Sequence, residues 1–217
     1  MNKNYWEKYY TSHSETEDCS GFAKFIVEQY NELKGGIIVD VGCGNGRDTF
    51  YFLKSGIKAI GVDQSPLAVE KNNAKSLSFL SRNICNVDYD NLTNESLGYN
   101  WQWTEEEVNF SIYMRFVLHA LNYEEENQLF ETFKKSKNLK YLFIETRSTK
   151  DKIYGEGDEV GKHEYITSHY RRFIDPKDLK AKLERNFKIL YFEESCGLSR
   201  TEKEDPCLIR VIAKKIS

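Results

Sequence analysis

The first periodic segment is residues 21–33, where Phe22, Phe25, Ile26 and Tyr30 recur at helical spacing. A branched apolar run follows, Ile37, Ile38, Val39 and Val41, with glycines on both sides. It predicts a strand buried on both faces. Residues 47–55 predict a helix and 58–64 a second strand. Ser65–Pro66 is a helix start, a capping hydroxyl with proline at the first helical position, and "LAVEKNNAKS" continues it. Further strands are predicted over 77–84, 108–116 and 140–148, with a helix over 123–137 between the last two. Residues 149–175 are charged, contain glycine and break the rhythm, so they are expected to form an insertion over the sheet's carboxyl edge. A helix resumes at Pro176, and strands over 187–195 and 207–217 close the chain. Strands alternating with helices predict an α/β fold, a Rossmann-like, mostly parallel seven-stranded sheet with helices on both faces. The closing pair of strands predicts an antiparallel hairpin at its edge.

Composition narrows this picture. The 217 residues suit one domain, 1–217, and 40% hydrophobic with 30% charged residues allow a packed core. A net charge of -3 argues against general nucleic-acid binding, which leaves a basic footprint. Fourteen Tyr and 13 Phe supply more rings than a core of this size needs, leaving some to line a pocket. The five cysteines, Cys19, Cys43, Cys85, Cys196 and Cys207, are odd in number and widely spaced with no CxxC. They are expected to be reduced thiols of a cytoplasmic protein, with no zinc arrangement. "MNKNYWEKYY" has no apolar signal core, and no run of about 18 apolar residues predicts a membrane span.

The chemistry is concentrated at "VDVGCGNG". Gly42, Gly44 and Gly46 are spaced by single residues between a buried strand and a helix, and a second strand ends in Asp63 about 20 residues on. Such a turn lets backbone approach a ligand closely, and an acid at the second strand's end takes two ribose hydroxyls. Dinucleotide sites use GxGxxG; here the order is GxGxG with Asp40 two residues before it. With "GVDQS", "RNIC" after the third strand and the closing hairpin, this resembles class I S-adenosylmethionine-dependent methyltransferases over nearly the whole chain. The resemblance implies a cofactor site shaped by Asp40, Gly42, Gly44, Asn45 and Gly46, with Asp63 on the ribose, Gln64 beside the adenine, Asn83 on the adenine amine and Ile84 flanking the ring. It also implies that residues 1–20, with Tyr5, Trp6, Tyr9 and Tyr10, fold over the cofactor as a lid, Tyr9 touching it.

The acceptor side is less determined. The fourth strand ends in "YMRF", without the NPPY of nitrogen methylation in this family and without the acids of its metal-dependent members, so no catalytic metal is expected. His119 is either a general base or a packed helix-start residue. Arg115, Glu145 and Arg147 stand at the carboxyl edge as ligand groups or as a buried ion pair among themselves. In "SHYRRF", Arg171 and Arg172 with His169 and Tyr170 form an anion grip, or else an exposed basic stretch answering Asp158, Glu159 and Glu164. "GNGRD", "RFVLHAL", "ETRS" and "HYRRF" together resemble a bacterial subgroup linked to surface polysaccharide and capsule, some of it to O-methyl phosphoramidate decoration. The expectation is an S-adenosylmethionine-dependent O-methyltransferase whose partner is a small anionic acceptor bearing phosphate or phosphoramidate. The alternatives are a sugar-hydroxyl O-methyltransferase using His119, His169 or Glu145 as base, a small-molecule N-methyltransferase, and a non-catalytic cofactor-binding partner subunit.

Overall fold

A computed structural model describes residues 3–12, 18–30, 36–92, 109–200 and 204–216. Strands β1 (Ile37–Val41), β2 (Lys58–Asp63), β3 (Phe79–Ser81), β4 (Phe110–Arg115), β5 (Leu139–Arg147), β9 (Phe187–Ser195) and β10 (Leu208–Lys215) form one seven-stranded sheet in the order β3-β2-β1-β4-β5-β10-β9. The first five pair in parallel, and β10 runs antiparallel to both β5 and β9. This is the expected doubly wound sheet with an antiparallel edge. Strand order reverses at β1 and β4, where the carboxyl ends open a crevice.

Alternation along the strands builds two cores. Ile37, Val39 and Val41 face one side with Ile112 and Met114, and there meet Leu129, Phe130 and Phe133 of α5 (Tyr123–Lys135) and Leu179 and Leu183 of α6 (Pro176–Leu183). Ile38 and Tyr113 face the other, against Phe22, Ala23 and Ile26 of α2 (Gly21–Gln29) and Phe52 of α3 (Arg47–Lys54). Ser65 caps α4 (Pro66–Asn73) with Pro66 in its first turn, as the sequence signals. An N-terminal helix, α1 (Lys3–Ser12), touches α4.

The structure corrects two expectations, on β3 and on the cysteines, and shows what the insertion folds into. β3 is shorter than 77–84, because Asn83 caps a 3₁₀ turn over Ile84–Asn86 instead of extending the strand. The insertion folds its own antiparallel sheet from β6 (Asp158–Gly161), β7 (Glu164–Ile166) and β8 (Tyr170–Arg172). Cys196 and Cys207 form a disulfide, whereas Cys19, Cys43 and Cys85 are free thiols. The register that pairs Ser195 with Leu208 carries the next residues out, Cys196 and Cys207, to opposite sides of the hairpin mouth. Among the described residues no helix is long and apolar enough to cross a membrane. The expected strand residue 108 and lid residues 1–2 and 13–17 lie outside the described residues.

Candidate active site

The glycine turn is held to the sheet by Gly42 N–H donating to Val62 O at 2.7 Å. Gly42 and Gly44 are left-handed (φ 73° and 54°), and each faces a close neighbour. A Cβ on Gly42 would come within 2.6 Å of Val117, and one on Gly44 within 2.5 Å of the Tyr10 hydroxyl. Gly46, also left-handed, opens α3. Asn45 Oδ1 accepts from Arg47 N. Asp63 receives Gly44 N–H on Oδ2 and Ser65 N–H on Oδ1, both at 2.9 Å. Its burial raises its carboxyl, and these backbone donors oppose the rise. Each oxygen keeps a lone pair for a further donor.

Asp40 lies beneath the turn, 3% exposed, its Oδ2 accepting from Thr49 Oγ1 at 2.6 Å. Burial, then the nearby Asp48 carboxylate, push it up to about 8. Asp48 in turn accepts from Ser20 N, Ser20 Oγ and Tyr113 OH, so α2 and β4 are anchored to the first turn of α3. Gln64 Nε2 and Glu7 Oε1 are buried and without a partner among the described residues. These features fit an adenosyl ligand: left-handed glycines that keep side chains off the turn, a carboxylate with lone pairs to spare, and an orphaned amide beside it. Asn83 is exposed, and its amide oxygen already accepts from Cys85 N at 3.1 Å. Ile84 is 1% exposed within the larger core. Tyr9 is exposed, and Tyr10 is the α1 residue over the turn.

The carboxyl edge of β4 and β5 carries the acceptor-side residues. Glu145, 0% exposed, accepts from Arg115 Nε at 2.9 Å and Arg210 Nε at 2.6 Å. It is thus the centre of a buried ion pair rather than a free base. Arg147 donates to Asp151 and Glu204, both at 2.7 Å. Between these arginines stands Phe116, a residue sequence reasoning passed over. Its φ of 58° is strained for a bulky side chain, and its N–H donates to Glu145 O at 2.8 Å. The Arg115 guanidinium lies 4.2 Å and that of Arg147 5.6 Å from the Phe116 ring centroid, and the His119 ring meets it edge-on. Arg210 was also missed; a lone arginine in the apolar run "CLIRVIA" is the signal that a buried carboxylate faces it, and it pairs in register with Glu145.

His119 is buried and its Nδ1 has no partner among the described residues. Burial, then Arg147, Arg171, His169 and Arg115, hold it well below the usual histidine range, so it is neutral. His169 is held down to about 4 by burial, then by Arg171 and Arg147. Its Nε2 lies 3.0 Å from Arg171 Nη2 and its Nδ1 3.0 Å from Ser168 Oγ, so neither nitrogen is free to act as a base. Arg171 is half-buried, and its Nε is buried without a partner among the described residues. Arg172, expected beside it in the grip, is turned away. It is 3% exposed and donates to Leu121 O and Leu118 O in the turn after β4, and to Glu126 of α5. Among the described residues no group of three His, Cys, Asp or Glu side chains is placed to hold a metal ion.

Residues 2–153 match the family model described as "Tellurite resistance protein TehB". The chain belongs to the TehB family. Its fold is that of the class I S-adenosylmethionine-dependent methyltransferases. A methyltransferase from Anabaena variabilis superposes with a TM-score of 0.64 at 18% identity, over 99% of this chain and 93% of that one. One from Methanosarcina mazei gives 0.68 at 15%, over 88% and 97%. Magnesium protoporphyrin IX methyltransferase from Synechocystis, solved with S-adenosylhomocysteine, gives 0.58 at 16%, over 89% and 80%. No curated protein matches in sequence. In this TehB-family chain the match ends at 153, so it covers the glycine turn and β5 and leaves β6–β8, with His169 and Arg171, outside it.

Proposed function

We propose that this TehB-family chain methylates a small anionic acceptor, with S-adenosylmethionine as donor, and that the acceptor sits between Arg171 and His119. One observation carries the reading. Arg171 Nε from the insertion and His119 Nδ1 from the turn after β4 are both buried and unpartnered among the described residues, and Arg171 is among the groups acting on His119. A buried polar group without a partner costs about 1–3 kcal/mol, which an entering oxyanion would relieve. Bound cofactor supplies an electrophilic methyl on a sulfonium. Asp63 would hold its ribose hydroxyls and Gln64 its adenine. An acceptor already carrying negative charge needs no strong base. Arg171 orients it through a charge-assisted hydrogen bond, and neutral His119 adds a second contact without adding charge. Phe116 and the rings of α1 keep water from the reacting pair. Arg115, Glu145 and Arg147 serve as the frame that holds Phe116.

The acceptor class follows from two supports. The sequence resemblance points to phosphate or phosphoramidate groups of capsule and surface-polysaccharide precursors in the cytoplasm, and the family description names tellurite, itself a small oxyanion. A second reading, transfer to a neutral sugar hydroxyl with His119 as base, is favoured by the same unpartnered Nδ1. Transfer of a tritiated methyl group to tellurite, a phosphoramidate, a nucleotide-linked sugar phosphate and a neutral sugar separates them. Label on an anion alone supports the proposal; label on the neutral sugar alone replaces it with the second reading.

A further inference from the structure

Arg171 must be aimed if it is to hold an acceptor, since a free arginine side chain samples many rotamers. Its aim comes from His169, 3.0 Å from Nη2. A guanidinium only donates, so His169 Nε2 accepts, and the imidazole proton lies on Nδ1 and is donated to Ser168 Oγ. The imidazole is fixed in turn by α1. The Tyr5 ring stacks on it with centroids 4.5 Å apart and planes 19° apart, and Trp6 meets it at a tilt of 63°. Five residues on, the same helix rests Tyr10 on Gly44, and Lys71 Nζ donates to Tyr10 O at 2.7 Å. One helix therefore touches both the arginine of the acceptor side and the glycine turn.

We propose that Tyr5 is a positioning residue for the acceptor: by stacking on His169 it holds the imidazole against Arg171 and so fixes where the guanidinium points. The inference rests on the anionic-acceptor reading of the site. It gives α1 a part in acceptor recognition as well as in covering the cofactor turn, and it gives His169 a part that needs no proton transfer.

The test uses the full chain with Tyr5→Ala, Tyr5→Phe and, as reference, Arg171→Ala. Binding of tellurite and of inorganic phosphate is measured by calorimetry with S-adenosylhomocysteine saturating. Loss of one aromatic stack corresponds to roughly three- to tenfold weaker anion binding in Tyr5→Ala. Tyr5→Phe should stay within about twofold of the parent, because the ring and not the hydroxyl makes the stack. Affinity for S-adenosylhomocysteine should change by less than about twofold in either variant, a smaller effect than one lost stack. A second readout needs no anion: the His169 ring, held down to about 4 by burial and then by Arg171 and Arg147, should titrate there in NMR spectra of the parent. It should move toward about 6.5 in Tyr5→Ala as the ring is exposed, and stay in Tyr5→Phe. Parent-like anion binding in Tyr5→Ala, with loss in Arg171→Ala, overturns the role of Tyr5 and leaves the anion site standing. Parent-like binding in Arg171→Ala, or no anion binding to the parent, overturns the anion site and this inference with it.

Discussion

Arg171 and Arg172 are neighbours on β8 whose guanidiniums serve different ends: Arg171 meets His169 and keeps a buried Nε that is unpartnered among the described residues, whereas Arg172 is locked to Glu126 and two backbone carbonyls. Strand alternation makes them diverge. Arg172→Ala therefore leaves Glu126 buried with Lys182 as its one cation among the described residues. It should cost about 3–5 kcal/mol of stability in urea unfolding while S-adenosylhomocysteine still binds at low denaturant. Unchanged stability would mean that the buried pair contributes little to holding the insertion on α5.

Asp63→Asn replaces one oxygen that can accept with an amide that donates. It should weaken S-adenosylhomocysteine by about 1–3 kcal/mol in calorimetry. NAD should give no binding heat in parent or variant, because the turn has the GxGxG spacing.

The pH dependence of stability follows from Asp40. Its folded pKa of about 8 lies above the ordinary carboxyl value, so the folded state holds this proton more tightly than the unfolded chain. The stability from Asp40 is then complete below the unfolded value and is lost as pH rises through about 8. His119 and His169 are shifted down, so their contribution rises with pH and is complete above about 6.5, the unfolded value. Between about pH 7 and 8.5 the carboxyl effect stands clear of them. The protein free of cofactor should lose stability there, by at most about 1.4 kcal/mol per pH unit for each proton released. Asp40→Asn should flatten the slope, since its amide oxygen still accepts from Thr49. A slope of equal size in the variant would assign it to other groups.

The legible parts of the fold were those that carry their own pattern. β1 is visible as a branched apolar run, α4 as Ser65–Pro66, and the cofactor turn as glycines that only left-handed backbone explains. The sheet in the insertion was not legible, because its strands span three or four residues and only Tyr165 and Arg172 among them turn inward. The ion pair of Glu145 with Arg115 was foreseen as one alternative; its third member, Arg210, comes from a strand 65 residues away. Phe116 was not legible because its backbone strain is imposed from outside, by the Glu145 carbonyl and two arginines whose carboxylates lie on other segments. Nor does sequence say which of Arg171 and Arg172 faces the crevice, since alternation separates neighbours without naming the inner one.

The most direct measurement is methyl transfer by Arg171→Ala on whichever anion the parent labels, with S-adenosylhomocysteine affinity measured in parallel. If Arg171 meets the buried charge of the acceptor, kcat/KM should fall by about 2–5 kcal/mol in transition-state terms, roughly 30- to 5,000-fold, and Arg171→Lys should recover only part of it. Cofactor affinity should stay within about twofold, because Asp63 and the glycine turn hold the cofactor without Arg171, and a twofold change is only about 0.4 kcal/mol. An Arg171→Ala enzyme that labels the anion with parent kcat/KM would contradict the account.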